Sequence, residues 1–296
     1  MSTDHKLVLV AGATGRLSRI VEVLLERGHT LRAMTRNADS PGAERLRALG
    51  AEIVFGDFER PESIEAAAAG ADAAFATGTA HRVGPDGELR HGRNLADAVA
   101  AAGVPHLVYS SGDGAAPDSP LALFQAKHSI EQHIRALPIA HTILAPVYFM
   151  ENLFNPWNLP ALTAGVFPSP IRVDAPLQQR AISDLVAFAA LAIERPGEFA
   201  GKRIALASAE LTGEQAAGAL ATVTGREIVA KQVPAAELPP PLRALFGWLG
   251  QAGHDVDIAA LHGRYPEIPW HDYPAWLESQ RTRLRDLCPH PEPIAR

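Results

Sequence analysis

Residues Gly12-Ala13-Thr14-Gly15-Arg16-Leu17-Ser18 follow a short apolar run, Leu7 to Val10, and open an amphipathic stretch. Glycine in such a turn lets backbone N–H groups and the positive end of the next helix approach a pyrophosphate with no Cβ in the way. The motif therefore predicts dinucleotide binding, the competing reading being a plain glycine turn between strand and helix. Ser18 stands where such fingerprints usually close on a third glycine, and it still permits helix–strand packing, less comfortably. The next strand-like run ends at Thr35-Arg36, where an NAD site carries Asp or Glu for the ribose hydroxyls. Arg36 offers instead a guanidinium suited to the 2′-phosphate of NADP, although a charged residue after a strand is often only solvated. After the third run, the loop Gly56-Asp57-Phe58 is expected to edge the adenine. There Asp57 can accept from the exocyclic amine or cap the helix that begins at 61, and both roles stay open.

These groups meet only if the elements around them form one sheet edge. Short β-branched runs alternate with Ala/Leu/Glu/Arg stretches of helical period, the pattern of repeated βαβ units. Strands are expected at 7–10, 30–35, 52–55, 72–77, 106–111 and 140–144, with helices at 17–27, 42–49, 61–69, 89–102 and 120–136. Gly28, Gly50, Gly70 and Gly103 stand where left-handed helix ends are expected. The expected class is α/β: a doubly wound parallel sheet over residues 1–150, built as two mononucleotide-binding halves. Residues 151–296 are expected to interleave sheet-completing elements with a smaller substrate lobe. Pro156, Pro160, Pro168, Pro170 and Pro176 exclude long regular elements from 152–180 and predict a looped segment. Regular pattern returns at 183–194, 203–207, 212–224 and 227–233, and again at 242–249 and 274–284.

Composition narrows the partners. The chain has 296 residues, 47% hydrophobic and 20% charged, as in an ordinary globular protein. With 27 Lys+Arg against 33 Asp+Glu the net charge is -6, so neither nucleic acid nor an anionic membrane is an expected partner. Cys288 is the single cysteine, which excludes an internal disulfide and a thiolate zinc site. No His-Glu-x-x-His occurs, and His128 and His133 are five apart, off one helical face, so no metal is expected. The apolar run 7–11 is too short for a signal core or a membrane span, and a cytoplasmic location is expected.

Gly12-Ala13-Thr14-Gly15, Thr35-Arg36-Asn37, Gly56-Asp57-Phe58, the run Gly103-Val104-Pro105-His106-Leu107-Val108-Tyr109-Ser110-Ser111 and the run Ala145 to Leu153 together resemble the NmrA-like family. That family belongs to the atypical short-chain dehydrogenase/reductase superfamily. Leu211-Thr212-Gly213-Glu214-Gln215 and Gly263-Arg264-Tyr265-Pro266 extend the resemblance to about residue 285. It implies a Rossmann domain that binds NADP(H), with a smaller C-terminal lobe over the nicotinamide. On the matching positions it implies cofactor contacts from Gly12, Ala13, Thr14, Gly15, Arg16, Leu17, Arg36, Asp57, Phe58, Thr77, Gly78, Ser110, Lys127, Pro146, Val147, Tyr148, Phe149 and Asn152.

The family mixes reductases of quinones, dyes and isoflavone-like enones with regulators that sense NADP(H) and catalyse nothing. Two readings follow: an NADPH-dependent reductase of a flat conjugated acceptor, or a non-catalytic NADP(H) sensor with a protein partner. The superfamily's Tyr-x-x-x-Lys is broken here, because Leu123 stands four residues before Lys127. Lys127 is one of only four lysines, and the resemblance places it where isoflavone-reductase-like members keep their catalytic lysine. Glu131, four residues on, is expected to pair with it, which leaves a solvated helix pair as the competing reading. Ser111 matches the superfamily's catalytic serine, or else serves the loop at 112–114. Tyr148 is the phenol placed to stand in as donor, or else a wall for the cofactor. His81, in an expected loop over 78–88, is a lone histidine of the kind that is usually solvated. Phe154, Trp157, Phe167, Phe246 and Trp248 are expected to wall an aromatic or quinonoid ligand, or to be lobe core. A monomer or homodimer is expected.

Overall fold

The computed structural model describes residues 5–287. Six strands, β1 (Leu7–Ala11), β2 (Thr30–Thr35), β3 (Glu52–Phe55), β4 (Ala73–Thr77), β5 (His106–Ser110) and β6 (Ala140–Pro146), pair in parallel. Of the later strands β7 (Tyr148–Phe149), β8 (Val166–Ser169), β9 (Pro176–Arg180), β10 (Arg203–Leu206), β11 (Ala209–Thr212) and β12 (Val229–Gln232), only β10 joins this sheet. It adds beside β6, with Gly201 N–H donating to His141 O and Ile143 N–H to Lys202 O. The order β10-β6-β5-β4-β1-β2-β3 reverses between β1 and β4. At such a switch point the carboxyl ends of two neighbouring strands leave in opposite directions and open a crevice. Strands covered on both faces need apolar residues at consecutive positions, and Val8, Leu9, Val10 and Ala11 are all buried.

The helices are α1 (Arg19–Glu26), α2 (Pro41–Ala48), α3 (Pro61–Ala68), α4 (Ala80–Ala101), α5 (Ala122–Ala136), α6 (Leu159–Thr163), α7 (Ile182–Glu194), α8 (Pro196–Phe199), α9 (Gly213–Thr224), α10 (Pro240–Gln251), α11 (Ile258–Arg264), α12 (Tyr273–Ser279) and α13 (Arg281–Leu287). Gly28, Gly50, Gly70 and Gly103 all take positive φ, as their positions after helices predict. The expected loop over 78–88 is instead the start of α4. Gly84, at φ 70, breaks it into two helices, and Pro85 opens the second, where its missing N–H and fixed φ fit. The His81 side chain and Cys288 lie outside the described residues.

The chain divides into two units: residues up to Pro146 with Leu185–Ala205, and Val147–Asp184 with those from Leu206 onward. In the second unit β9 pairs antiparallel with β11 and parallel with β7, while β12 pairs with β8 alone and does not join the main sheet. The proline-rich segment is therefore more regular than its composition predicts. Pro168 sits in a two-stranded ribbon and Pro176 begins a strand, positions where the missing N–H leaves few ladder bonds unmade. The expected helix 274–284 is two, α12 and α13, parted at Gln280. Tyr273, Trp276, Leu277, Met150, Leu211 and Leu220 form this unit's core. Buried Asp184 ties it further, accepting from Ser208 Oγ at 2.5 Å and from the His271 N–H at 3.0 Å.

His106 opens β5 fully inside the sheet, with Nε2 2.9 Å from Thr142 Oγ1. Burial, with smaller contributions from Lys6 and His141, pushes its pKa down to about 4. The folded protein thus holds His106 neutral, whereas the unfolded chain protonates it below about pH 6.5. This contribution to stability is complete above that pH and falls away between about 6.5 and 4, by about 2 kcal/mol at pH 5. Urea midpoints at pH 7.5 and pH 5 are expected to differ less in His106→Gln than in the wild type. An unchanged difference would show that His106 does not contribute to acid sensitivity.

Candidate functional site

The glycine turn leaves β1 at the switch point. Gly12 takes φ 75, which side-chain-bearing residues rarely adopt, and a Cβ there would lie 3.6 Å from Thr77 Cγ2 at the end of β4. Gly15 N–H donates to Gly12 O at 2.9 Å, closing the turn, and a Cβ on Gly15 would come within 3.0 Å of that same carbonyl. Ala13 and Leu17 bury their side chains while Thr14, Gly15 and Arg16 face outward. Among the described residues, the N–H groups of Ala13, Thr14 and Leu17 have no partner in the chain. Ser18 makes no cap bond, and its hydroxyl instead accepts from Arg45 Nη2 at 3.1 Å. These are the features a pyrophosphate requires: unpaired backbone donors at a helix start, in a cradle that a Cβ would fill.

Along the same carboxyl edge, Thr77 is paired in register with Ser110. Arg36 is exposed and, among the described residues, makes no hydrogen bond or ion pair. Asp57 does not cap α3: its Oδ1 accepts from Glu59 N–H at 3.1 Å, while Ser63 Oγ accepts from Asp57 N–H at 2.9 Å. Phe58 stacks on His91 with ring centres 5.5 Å apart.

Lys127 on α5 does not pair with Glu131. Its Nζ donates to Glu88 Oε1 at 2.9 Å, across to α4, and both side chains are nearly buried. Glu88 lay in the segment read as a loop, so nothing in the sequence pointed to it. The approach depends on Gly78, where a Cβ would land on the Glu88 carboxylate. Tyr109 on β5 borders a small void together with Gly78, Glu88 and His91, and its hydroxyl has no hydrogen-bond partner among the described residues. Burial, together with Glu88 and Glu131, raises this phenol well above its usual range.

Glu131 serves a different residue. Ser111 Oγ donates to its Oε1 at 2.6 Å, Arg203 Nε to its Oε2 at 3.0 Å and Arg135 Nη2 to its Oε2 at 3.3 Å. Arg203 Nη2 also donates to the carbonyls of Gly112 and Asp113, fixing the loop after β5. The Ser111 hydroxyl thus neither serves that loop nor stands free. Arg203, 72 residues beyond Glu131 in the sequence, has no local pattern that would reveal it.

Pro146 ends β6, its carbonyl accepting from Asp113 N–H at 3.0 Å. In the second unit, Val147 is buried and the Asn152 carbonyl accepts from Asn158 Nδ2 at 2.9 Å. The Phe149 ring lies 4.1 Å from the guanidinium carbon of buried Arg180. Tyr148 stands edge-on to Phe246 at 5.9 Å. Both border a cavity of about 320 Å³ that lies wholly within this unit, with Trp157, Phe167, Ile171 and Leu242 among its apolar walls. Gln179, Thr212, Asn158 and Glu237 supply its polar rim, with no cationic side chain in the lining. Of the five expected aromatic walls, Trp157, Phe167 and Phe246 reach it. Phe154 is core beneath Arg283, and Trp248 stands edge-on to His254.

Among the described residues no helix is long and apolar enough to cross a membrane, and no cluster of three His, Cys, Asp or Glu could hold a metal. The sequence model of the NmrA-like family matches residues 4–257. The chain belongs to the NmrA-like family. This NmrA-like protein is 30% identical over 223 residues to the NAD(P)H azoreductase of Xenophilus azovorans, covering 75% of each chain. Other curated relatives are matched over about half of their own length. The triphenylmethane reductase of Citrobacter sp., solved with NADP(H), superposes with a TM-score of 0.79 at 21% identity, over 93% of this chain and 99% of that one. NmrA itself, a negative transcriptional regulator solved with NADP, gives 0.78 at 22%, over 95% and 97%. At these identities the two structures establish the shared Rossmann-like fold.

Proposed function

We propose that this NmrA-like protein is an NADPH-dependent reductase whose acceptor is a small, flat, conjugated molecule such as a quinone, an enone or a related carbonyl. The observation that carries this reading is the cavity of about 320 Å³, apolar with a few polar groups. Such a volume and lining suit a small aromatic ligand. The azoreductase relative, an oxidoreductase by name, supports the same class.

The cofactor would be held by residues of the first unit. Backbone donors of Ala13, Thr14 and Leu17 take the pyrophosphate, Arg36 the 2′-phosphate, Asp57 and Phe58 the adenine, and Thr77, Gly78 and Ser110 the ribose edge. When bound, NADPH supplies the hydride. Lys127 then stabilises the negative charge that develops on the acceptor's oxygen and gives it a proton. Acceptors whose product anion is delocalised ask less of that proton, which fits a chain with Leu123 in place of the usual tyrosine. Tyr148 borders the cavity of the second unit.

Steady NADPH oxidation with at least one member of a panel of quinones, enones and ketones is expected. Tight NADPH binding with no turnover across the panel would leave the sensor reading standing. For cofactor choice, Arg36→Ala is expected to raise the Kd for NADPH about 10- to 100-fold, the worth of hydrogen bonds to a charged group, with NADH affinity unchanged. Equal weakening of both would remove the 2′-phosphate role.

A further inference from the structure

The small sheet of the second unit turns one polar side chain toward the cavity that the fold itself does not use. Tyr148 on β7 and Ala209 on β11 stand in register on either side of Gln179 on β9, and Leu211 on β11 is paired with Leu177. Side chains alternate along a strand, so Leu177 and Gln179 share one face. That face is the cavity wall, since Tyr148, Leu177, Gln179 and Leu211 all border it. Gln178, between them, points the other way and is fully occupied. Its Nε2 donates to Glu210 Oε2 at 3.2 Å and to Val256 O at 3.0 Å, while its Oε1 accepts from Val256 N–H at 2.9 Å. Gln179 is only 6% exposed, yet among the described residues its carboxamide makes no hydrogen bond.

Buried polar side chains are nearly always paired, and an unpaired amide is costly once water is removed from it. A ligand that fills the cavity takes away the water around Gln179 and has to satisfy the amide itself. Apart from the Tyr148 phenol, the other uncharged polar side chains of the lining are already engaged. Thr212 Oγ1 accepts from Gln215 N–H at 3.2 Å as the cap of α9, Ser169 Oγ donates to Ile171 O at 2.8 Å, and Asn158 Nδ2 donates to Asn152 O at 2.9 Å. Glu237, exposed at the rim, is the only acidic side chain of the lining, and no cationic one stands there to receive an anion. A carboxylate or sulfonate on the ligand would therefore leave water with no counter-charge to meet it.

We propose that Gln179 is the specificity-determining residue of this cavity, its Nε2 donating to a carbonyl oxygen of an uncharged, flat acceptor. This rests on the reading above only in taking the cavity to be the acceptor's place. The rings fill the apolar walls, and the carbonyl restores the hydrogen bond that the carboxamide lacks within the chain. A hydrocarbon of the same shape leaves that amide unpaired, which is the form of discrimination a polar group in an apolar pocket provides.

The test is calorimetric binding to the cofactor-free protein of three flat two-ring probes: acetonaphthone, which carries a ketone; ethylnaphthalene, which has its shape without the oxygen; and naphthoate, an anion. Gln179→Met keeps the length of the side chain and removes the amide, and Gln179→Glu keeps the shape and removes the N–H donor. In both variants acetonaphthone is expected to bind about 5- to 10-fold more weakly, the worth of one neutral hydrogen bond. Ethylnaphthalene is expected to bind Gln179→Met no more weakly than the wild type, and naphthoate to bind the wild type more weakly than acetonaphthone does. Thermal unfolding of each variant shows whether it is folded, and should Gln179→Met not fold, Gln179→Glu decides. An equal loss for ketone and hydrocarbon in Gln179→Met, an unchanged ketone affinity, wild-type binding of naphthoate as tight as that of acetonaphthone, or no binding of any probe to the wild type would overturn the assignment. Loss of the ketone preference in a protein that oxidises no NADPH with any carbonyl would overturn the reductase reading alone. Turnover in the wild type with an unchanged preference in Gln179→Met would overturn the role of Gln179 alone.

Discussion

Lys127→Met is expected to lower kcat about 10²- to 10³-fold while leaving the Kd for NADPH within a factor of a few. Methionine matches the lysine stem in length and bulk, so the contact with the loop at Gly112 is kept and the ammonium alone is lost. The removed charge has two duties, at the acceptor's oxygen and against Glu88, and they are separable. Glu88 loses the Lys127 ion pair in a nearly buried place, where a carboxylate charge is costly to hold. In the double variant with Glu88→Gln that cost is absent. If the loss of kcat survives in the double variant while thermal stability recovers, the proton-giving role belongs to Lys127 itself. If kcat recovers with stability, Lys127 is structural. Kinetics with saturating NADPH and a quinone or enone measure the first quantity, and thermal unfolding the second.

Glu131→Leu is expected to cost about 3–5 kcal/mol of folding stability, the largest such effect of any single change considered. Its carboxylate is almost fully buried and accepts from Ser111, Arg203 and Arg135, so leucine strands a serine hydroxyl and two guanidinium groups at once. Arg135 and Arg203 remain partly exposed and can turn to water, which keeps the cost toward the lower end of that range. The loop at Gly112 and Asp113 stays tied to Arg203 through its carbonyls, so the effect belongs to the ion pair and the serine. Urea unfolding checks it, and a loss under about 1 kcal/mol would show that water replaces the pair.

Much of the first unit was legible because its signals are local. Apolar runs of four to six residues, the first four each followed by a helix and a glycine stop, give strands β1 to β6 with few shifts of boundary, and the turn at Gly12 takes the left-handed backbone that its motif requires. The ion pairs were not legible, because they join residues far apart. Lys127 reaches Glu88 on another helix, and Glu131 reaches Ser111 and Arg203 on two strand ends, whereas helical spacing alone suggested that the two would pair with each other. Gly84, Pro85 and Gly87 concealed the first part of α4, since glycine and proline read as loop unless one sees that each falls at a break or a first turn. Prolines hid β8 and β9 for the same reason. Three of the five expected aromatic walls reach the cavity and Phe154 takes the alternative place in the core, because an aromatic side chain in sequence looks the same whether it lines a cavity or fills a core.

The most direct test of the central claim is label transfer. The protein is incubated with NADPH deuterated at nicotinamide C4, on each face in turn, and with a cyclic enone, where a transferred hydride stays on carbon and does not exchange with water. Deuterium in the reduced enone from one face only, in a one-to-one ratio with oxidised NADPH, is the expected result. Tight binding of NADPH with no label in any acceptor and no oxidation would contradict the reductase reading.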